Sequence, residues 1–261
     1  MSALRTAGAR SSGRVLGVAL AITAAGFSGL SLASLMAHER TTVTNELLKN
    51  VTRVELGDVP GKLQIEGSDE VRNRLTQMIT SGVTTPDVSW RVEGSTLFYD
   101  GNCRWFDSRC GIDVGLRTAR NARIAASISG GDVEVQGMTG QLDLRSDSGE
   151  VHVDDSTGDM NLASSGGDVQ GRRLGAERVT AESSGGDVRL EFSGVPREVV
   201  ADSSAGDVEI VLPPGPAAYR VDTTSSAGDT NVGVRTDPNS NRSIRVSSSA
   251  GNVTVRYAAG A

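Results

Sequence analysis

The sequence predicts an all-β chain: a single-stranded parallel β-solenoid of about seven to nine short coils, preceded by one N-terminal transmembrane helix. Three observations carry this expectation. The motif Ser-Ser-Gly-Gly-Asp-Val, or a close variant, recurs seven times, and its glycines (Gly131, Gly149, Gly167, Gly186, Gly206, Gly228 and Gly251) stand 18 to 23 residues apart. Apolar and polar residues alternate on both sides of each copy. Residues 15–36 carry no charge.

Aligned on the glycine, the apolar residues fall into columns. Seven positions before it stand Ile124, Leu142, Met160, Val179, Val199, Val221 and Ile244, and five before it Ala126, Leu144, Leu162, Ala181, Ala201, Thr223 and Val246. Two after it stand Val133, Val151, Val169, Val188, Val208, Thr230 and Val253, and four after it Val135, Val153, Gly171, Leu190, Ile210, Val232 and Val255. A period of two with one apolar face means strands buried on one side. Each copy is therefore a strand, a tight corner and a strand. Equivalent strands of successive coils are expected to stack in parallel at about 4.8 Å, so seven coils make a rod on the order of 34 Å long.

The corner has its own chemistry. Three positions before the glycine stand Ile128, Ser146, Ser164, Ser183, Ser203, Ser225 and Ser248, still on the inward side. A stack of buried serines satisfies hydroxyl and turn backbone together. The glycine is expected to supply a positive φ. A degenerate earlier copy, Val54, Leu56, Gly61, Leu63 and Ile65, marks the start of the folded domain. The segment 67–122 is irregular. It holds a helical or loop-like run at 71–79, strand-like runs at 88–92 and 96–99, and a further run at 112–116, as expected of a solenoid cap.

The uncharged stretch Val15–Met36 follows Arg5, Arg10 and Arg14. It is long enough to span a bilayer, with residues 1–14 cytoplasmic and the rest outside. A cleaved signal peptide is the alternative and also exports the domain. Residues 37–50 read as a polar spacer, and 51–257 as the repeat domain. Cys103 and Cys110 are the only cysteines. In an exported domain a pair bracketing a short loop reads as a disulfide. The alternative is a metal or redox pair, which lacks the ligands of a zinc set. The net charge is −6, and about −9 without the three N-terminal arginines, which disfavours nucleic acid and anionic lipid as partners. The high glycine count of 32 does not mean disorder, because the valine columns supply apolar surface to bury.

Candidate chemistry is sparse. The residue after each glycine forms a column: Asp132, Glu150, Asp168, Asp187, Asp207, Asp229 and Asn252. Turn carboxylates that accept backbone hydrogen bonds are one reading, and a ladder of bound cations is the other. His152 lies between inward Val151 and Val153, so it faces solvent. Nucleophile, phosphate-loop and dinucleotide motifs are absent, and no cofactor is expected. Asp154 and Asp155 are the nearest thing to the acid pair of a polysaccharide-active enzyme. Phe192 and Tyr257 share a column with Leu212 and Val234 and read as packing. Five of the nine aromatics (Trp90, Phe98, Tyr99, Trp105 and Phe106) cluster in the irregular segment. They are either a hydrophobic plug or a partner patch, with Trp90, Tyr99, Trp105 and Phe106 as its members.

The N-terminal apolar segment, the paired cysteines and the repeats Ser129-Gly130-Gly131-Asp132-Val133, Ser165-Gly166-Gly167-Asp168-Val169, Ser184-Gly185-Gly186-Asp187-Val188 and Ser204-Ala205-Gly206-Asp207-Val208 resemble a bacterial adhesin-like, β-strand-repeat family of unknown function, common in actinobacterial envelopes. The resemblance covers residues 50–257 and implies a β-solenoid ectodomain with no catalytic residue to carry over. The expected role is non-enzymatic adhesion or partner binding at the cell envelope. The rivals are an accessory or sensory subunit of an envelope-stress system, and a polysaccharide-active enzyme. The last coil ends at Tyr257, and its open edge is a candidate for self-association.

Overall fold

The computed structural model describes residues 39–47, 50–70 and 72–259. The segments 1–14 and 15–36, where the cytoplasmic tail and membrane span are expected, lie outside them. The described residues form 21 strands, with turns and no helix. They make two sheets of 11 and 10 strands that face each other across one core.

Each repeat gives one strand to each sheet, and the inward columns are the core. Leu142, Leu144, Val151 and Val153 are buried in one coil, and Val179, Ala181, Val188 and Leu190 in another. The registers follow the columns: Leu142 pairs with Met160 and Val151 with Val169, in parallel. The degenerate copy is in register too, with Val54 beside Ile124 and Leu63 beside Val133.

The coils do not stack in chain order. At the C-terminal end the Gly251 coil sits directly on the Gly206 coil, with Val199 paired to Ile244 and Val208 to Val253. The Gly228 coil lies outside it, with Val221 paired to Ile244 and Thr230 to Val253. The physical reason is in the columns. Thr223 and Thr230 stand where other copies have apolar residues, and in the outermost coil Val232 and Thr230 are exposed. Ile244, Val246, Val253 and Val255 need cover on both sides and are buried. The exposed end is therefore the Gly228 coil, and Tyr257 belongs to a covered strand.

The N-terminal end mirrors this arrangement. Its strands are β1 (Glu39–Leu47), β2 (Arg53–Leu56), β3 (Leu63–Ser68), β4 (Asn73–Ser81), β5 (Asp87–Glu93), β6 (Thr96–Asn102) and β7 (Gly111–Ala119). β2 and β3 form the Gly61 coil, which lies beneath an outer coil made of β6 and β7. Antiparallel strands close this end: β4 on β7, β1 on β4, and β5 on β6. Two expectations are corrected here. The run at 71–79 contributes a strand, not a helix or loop, and the stretch read as spacer contributes β1. In β4, Asn73 and Gln77 are buried beside Leu75, so the inward face is partly polar and its alternation is hidden. Thr118 Oγ1 donates to Asn73 Oδ1 at 2.9 Å.

Candidate functional site

The repeated corner is fully engaged in the fold. Ser164 Oγ accepts from the Gly167 amide at 2.9 Å and donates to the Gly149 carbonyl of the neighbouring coil at 2.8 Å. Ser183 and Ser203 do the same with Gly186 and Gly167, and with Gly206 and Gly186. The ladder follows the exchanged coil order, since Ser248 donates to Gly206 and Ser225 to Gly251.

The glycines are needed for closeness, not for a left-handed backbone. Of the seven, only Gly131 has a positive φ, +102°, and it belongs to the copy that carries Ile128 instead of serine. A Cβ on Gly149 would collide with the Gly131 carbonyl, and one on Gly167 would lie 2.6 Å from the Gly149 carbonyl oxygen. The expected positive φ is thus replaced by backbone packed against backbone.

The carboxylate column is used in the same way. Asp168 Oδ1 accepts from the Asp187 amide at 2.8 Å, and Asp187 Oδ1 accepts from the Asp207 amide at 2.8 Å. Asp132 accepts from the Glu150 amide, and Asp207 from the Asn252 amide. Glu150 turns aside to His152, 2.6 Å away. Asp229 lies in the outermost coil, where its amide donates to Asn252 Oδ1 at 3.0 Å. Among the described residues no three His, Cys, Asp or Glu side chains are grouped as a metal site.

Asp154 and Asp155 do not form an acid–base pair. Arg173 of the next coil grips Asp155 through two hydrogen bonds of 2.6 and 2.7 Å. These bonds hold the Asp155 carboxyl below its ordinary range. A glycosidase acid needs the opposite shift. Asp155 and Arg173 both have left-handed backbones, φ 48° and 49°, so their ion pair ties a bend to a β-bulge in the strand of the next coil.

The aromatic cluster divides. Tyr99 is 2% exposed in the core, and burial pushes its hydroxyl up to about 12, so it is not part of a surface patch. Trp90 is 40% exposed on the same side of β5 as Val88 and Val92, which pack on the core. Phe98 lies on the outer face beneath Arg91, 4.5 Å from ring centroid to guanidinium carbon. Trp105 and Phe106 are 96% and 53% exposed, with rings edge to face at 5.8 Å. The cluster thus divides into buried and exposed aromatics.

Trp105 and Phe106 sit in the loop joining β6 to β7, where other coils have the glycine corner. A disulfide between Cys103 and Cys110 closes this loop. Asp107 is buried inside it and accepts from the Thr84 amide at 2.7 Å, from Thr84 Oγ1 at 2.9 Å and from the Arg109 amide at 3.3 Å. The Thr84 amide bond is the main cause of a lowered Asp107 pKa. Burial opposes it, and the Thr84 hydroxyl and Arg109 amide reinforce it. A carboxyl that ionises more readily folded than unfolded stabilises the fold above the ordinary carboxylate range. That contribution is lost as pH falls through the depressed value. Below about pH 4 the Thr84 amide is expected to lose hydrogen-exchange protection before the core does. Asp107→Asn should already be loosened there and insensitive to pH, and equal pH profiles for the two proteins would refute this role.

The outer face of the 11-stranded sheet carries a groove of about 740 Å³. Two cross-strand rows line it. One runs Thr76, Gly115, Gln64, Glu134 and His152, and the other Arg74, Arg117, Glu66, Gln136, Asp154 and Arg172. Gly115, with no side chain, forms its low point. Lys62 Nζ donates to Glu134 at 2.6 Å, and Gln64 donates to it at 2.9 Å. These bonds, with Lys62 the larger cause, hold the Glu134 pKa down. Outward residues fall between the core columns, so the alternation pattern contained these rows. Their continuity across β4, β7 and β3 depends on the coil order, which the pattern did not contain.

Stacked parallel coils and inter-coil ladders define a β-solenoid with an open polar face. The chain belongs to the Toastrack DUF4097 family, whose model matches residues 108–258. Among solved structures, a "putative adhesin" from Bacteroides fragilis is 19% identical with a TM-score of 0.49, the alignment covering 84% of this chain and 97% of that one. A "putative adhesin" from Parabacteroides distasonis is 12% identical with a TM-score of 0.45, covering 83% and 97%. A "putative lipid binding protein" from the same species is 15% identical with a TM-score of 0.43, covering 84% and 97%. No curated protein matches the chain.

Proposed function

We propose that the chain is a non-enzymatic cell-envelope protein. Residues 15–36 anchor it as a single-pass span, and its solenoid binds a protein or cell-surface partner outside the membrane. The groove across β4, β7, β3 and the next two coils carries this reading. It is open along the sheet and lined by a mixture of cations, carboxylates and amides, which suits an extended polar partner rather than an enclosed small molecule. The repeated serines do not compete for the role, since their hydroxyls are spent on the corners, and four of the six column acids each hold an amide of the neighbouring coil.

Gly115→Arg tests it. A Cβ at 115 meets only Thr76, at 3.7 Å or more, so the variant should fold while its side chain fills the groove. A photocrosslinking residue at Gln64 in living cells is expected to trap a discrete partner, and Gly115→Arg should abolish the adduct. An adduct of equal yield from Asp143, on the opposite sheet, would overturn the assignment. So would an adduct that persists in Gly115→Arg.

A further inference from the structure

We propose that the stapled aromatic loop is a bilayer contact. Trp105 and Phe106, with Val83 beside them and Arg104 and Arg109 flanking, seat the N-terminal end of the solenoid on the lipid headgroups outside the membrane. The inference rests on the anchor reading above.

Exposure is the first observation. Trp105 at 96% and Val83 at 82% are far more open than the other exposed large apolar residues; Phe106 follows at 53%, and the rest lie between 38% and 46%. Rigidity is the second. The disulfide closes the loop, and Asp107 ties it to Thr84, which holds Val83 beside the aromatic pair. Anchors fixed in this way lose little entropy on contact.

Position is the third observation, and it selects the partner. The first strand residue, Glu39, pairs with Ser81, and Gly82, Val83 and Thr84 follow directly. The chain therefore enters the domain next to the aromatic loop. Residue 36, the last of the uncharged stretch, is three residues before Glu39, a reach of about 11 Å at most. A membrane-spanning stretch would thus be joined by a short tether to the end of the domain that bears the loop.

The chemistry fits a headgroup contact. Indole and phenyl rings partition to the membrane interface, and arginine pairs with lipid phosphate. Arg104 and Arg109 are exposed, and neither forms an ion pair among the described residues. The one acid in the loop, Asp107, is turned inwards. The acidic domain gains no long-range attraction to lipid, and it needs none, because the tether supplies a high local concentration.

The test uses the full chain reconstituted in vesicles of phosphatidylcholine and phosphatidylglycerol. The sequence has two tryptophans, so Trp90→Phe leaves Trp105 as the sole emitter. Lipids brominated near the headgroup end of their chains are expected to quench about half of its emission and to shield it from aqueous iodide. Trp105→Phe, which leaves Trp90, should show neither effect. Unquenched, iodide-accessible Trp105 in a chain that stays with the vesicles through alkaline washing would overturn the contact and leave the anchor standing. Release of the chain by the wash would overturn the anchor, and with it the stated cause of the contact.

Discussion

Gly149→Ala is expected to destabilise the solenoid by about 4 kcal/mol or more, because the added methyl has nowhere to go. Its Cβ would overlap the Gly131 carbonyl and press on the Asp132 amide, both backbone atoms of a neighbouring coil. Relief would require two parallel ladders to separate, and each ladder is fixed by its register on both sides. The adjacent motif position is the control. A Cβ at Gly130 meets nothing within 4 Å, and Ala205, Ala227 and Ala250 occupy that place in other copies. Gly130→Ala should therefore change stability by no more than about 0.5 kcal/mol. Denaturant midpoints of the two variants measure the difference. Similar shifts would show that the corner tolerates a side chain and that the close approach is not what selects glycine.

Ser164→Ala should cost about 2–4 kcal/mol, far above a surface serine, because it strands two backbone groups at once. The Gly167 amide loses its acceptor and the Gly149 carbonyl loses its donor, at a side chain that is 4% exposed. Ser164→Val should be at least as costly, since restoring bulk does not restore either bond. The variant also has an internal precedent. Where Ile128 replaces the serine, the corner glycine changes to φ +102°. The same backbone flip at Gly167 is the expected route of partial relief, readable as a changed chemical shift for that amide. A loss below about 0.5 kcal/mol would mean that the hydroxyl ladder is incidental.

The columns were legible because burial in a solenoid repeats. Val133, Val151, Val169, Val188 and Val208 each meet the same surroundings, so alternation around a fixed glycine located the core and the corner serines. Coil order was not legible for the same reason. Val208 can pair with Thr230 or with Val253 in identical geometry, and periodicity cannot choose between neighbours. Only Thr223 and Thr230, hydroxyls in apolar columns, carried the signal that their coil is the outermost. The run at 71–79 misled because Leu75, Met78 and Ile79 are spaced as on a helix, while the buried partners that make it a strand, Asn73 and Gln77, are polar. In the candidate surface, Tyr99 and Trp105 look alike in the sequence. Their separation into core and tip required the pairing of β6 with β2 and β5.

The insertion of the Gly251 coil between the Gly206 and Gly228 coils sets a timetable. A chain emerging N-terminus first can add its coils one upon another as far as Gly206. The next segment to appear belongs one place further out and has nothing to rest on. Residues 220–233 cannot take their native place until the 15 residues from Ser243 to Tyr257 arrive and fill the one between. This end of the solenoid is therefore completed by a two-coil closure rather than a one-coil addition. A chain cut short after residue 242 would forfeit both coils, although it lacks only one.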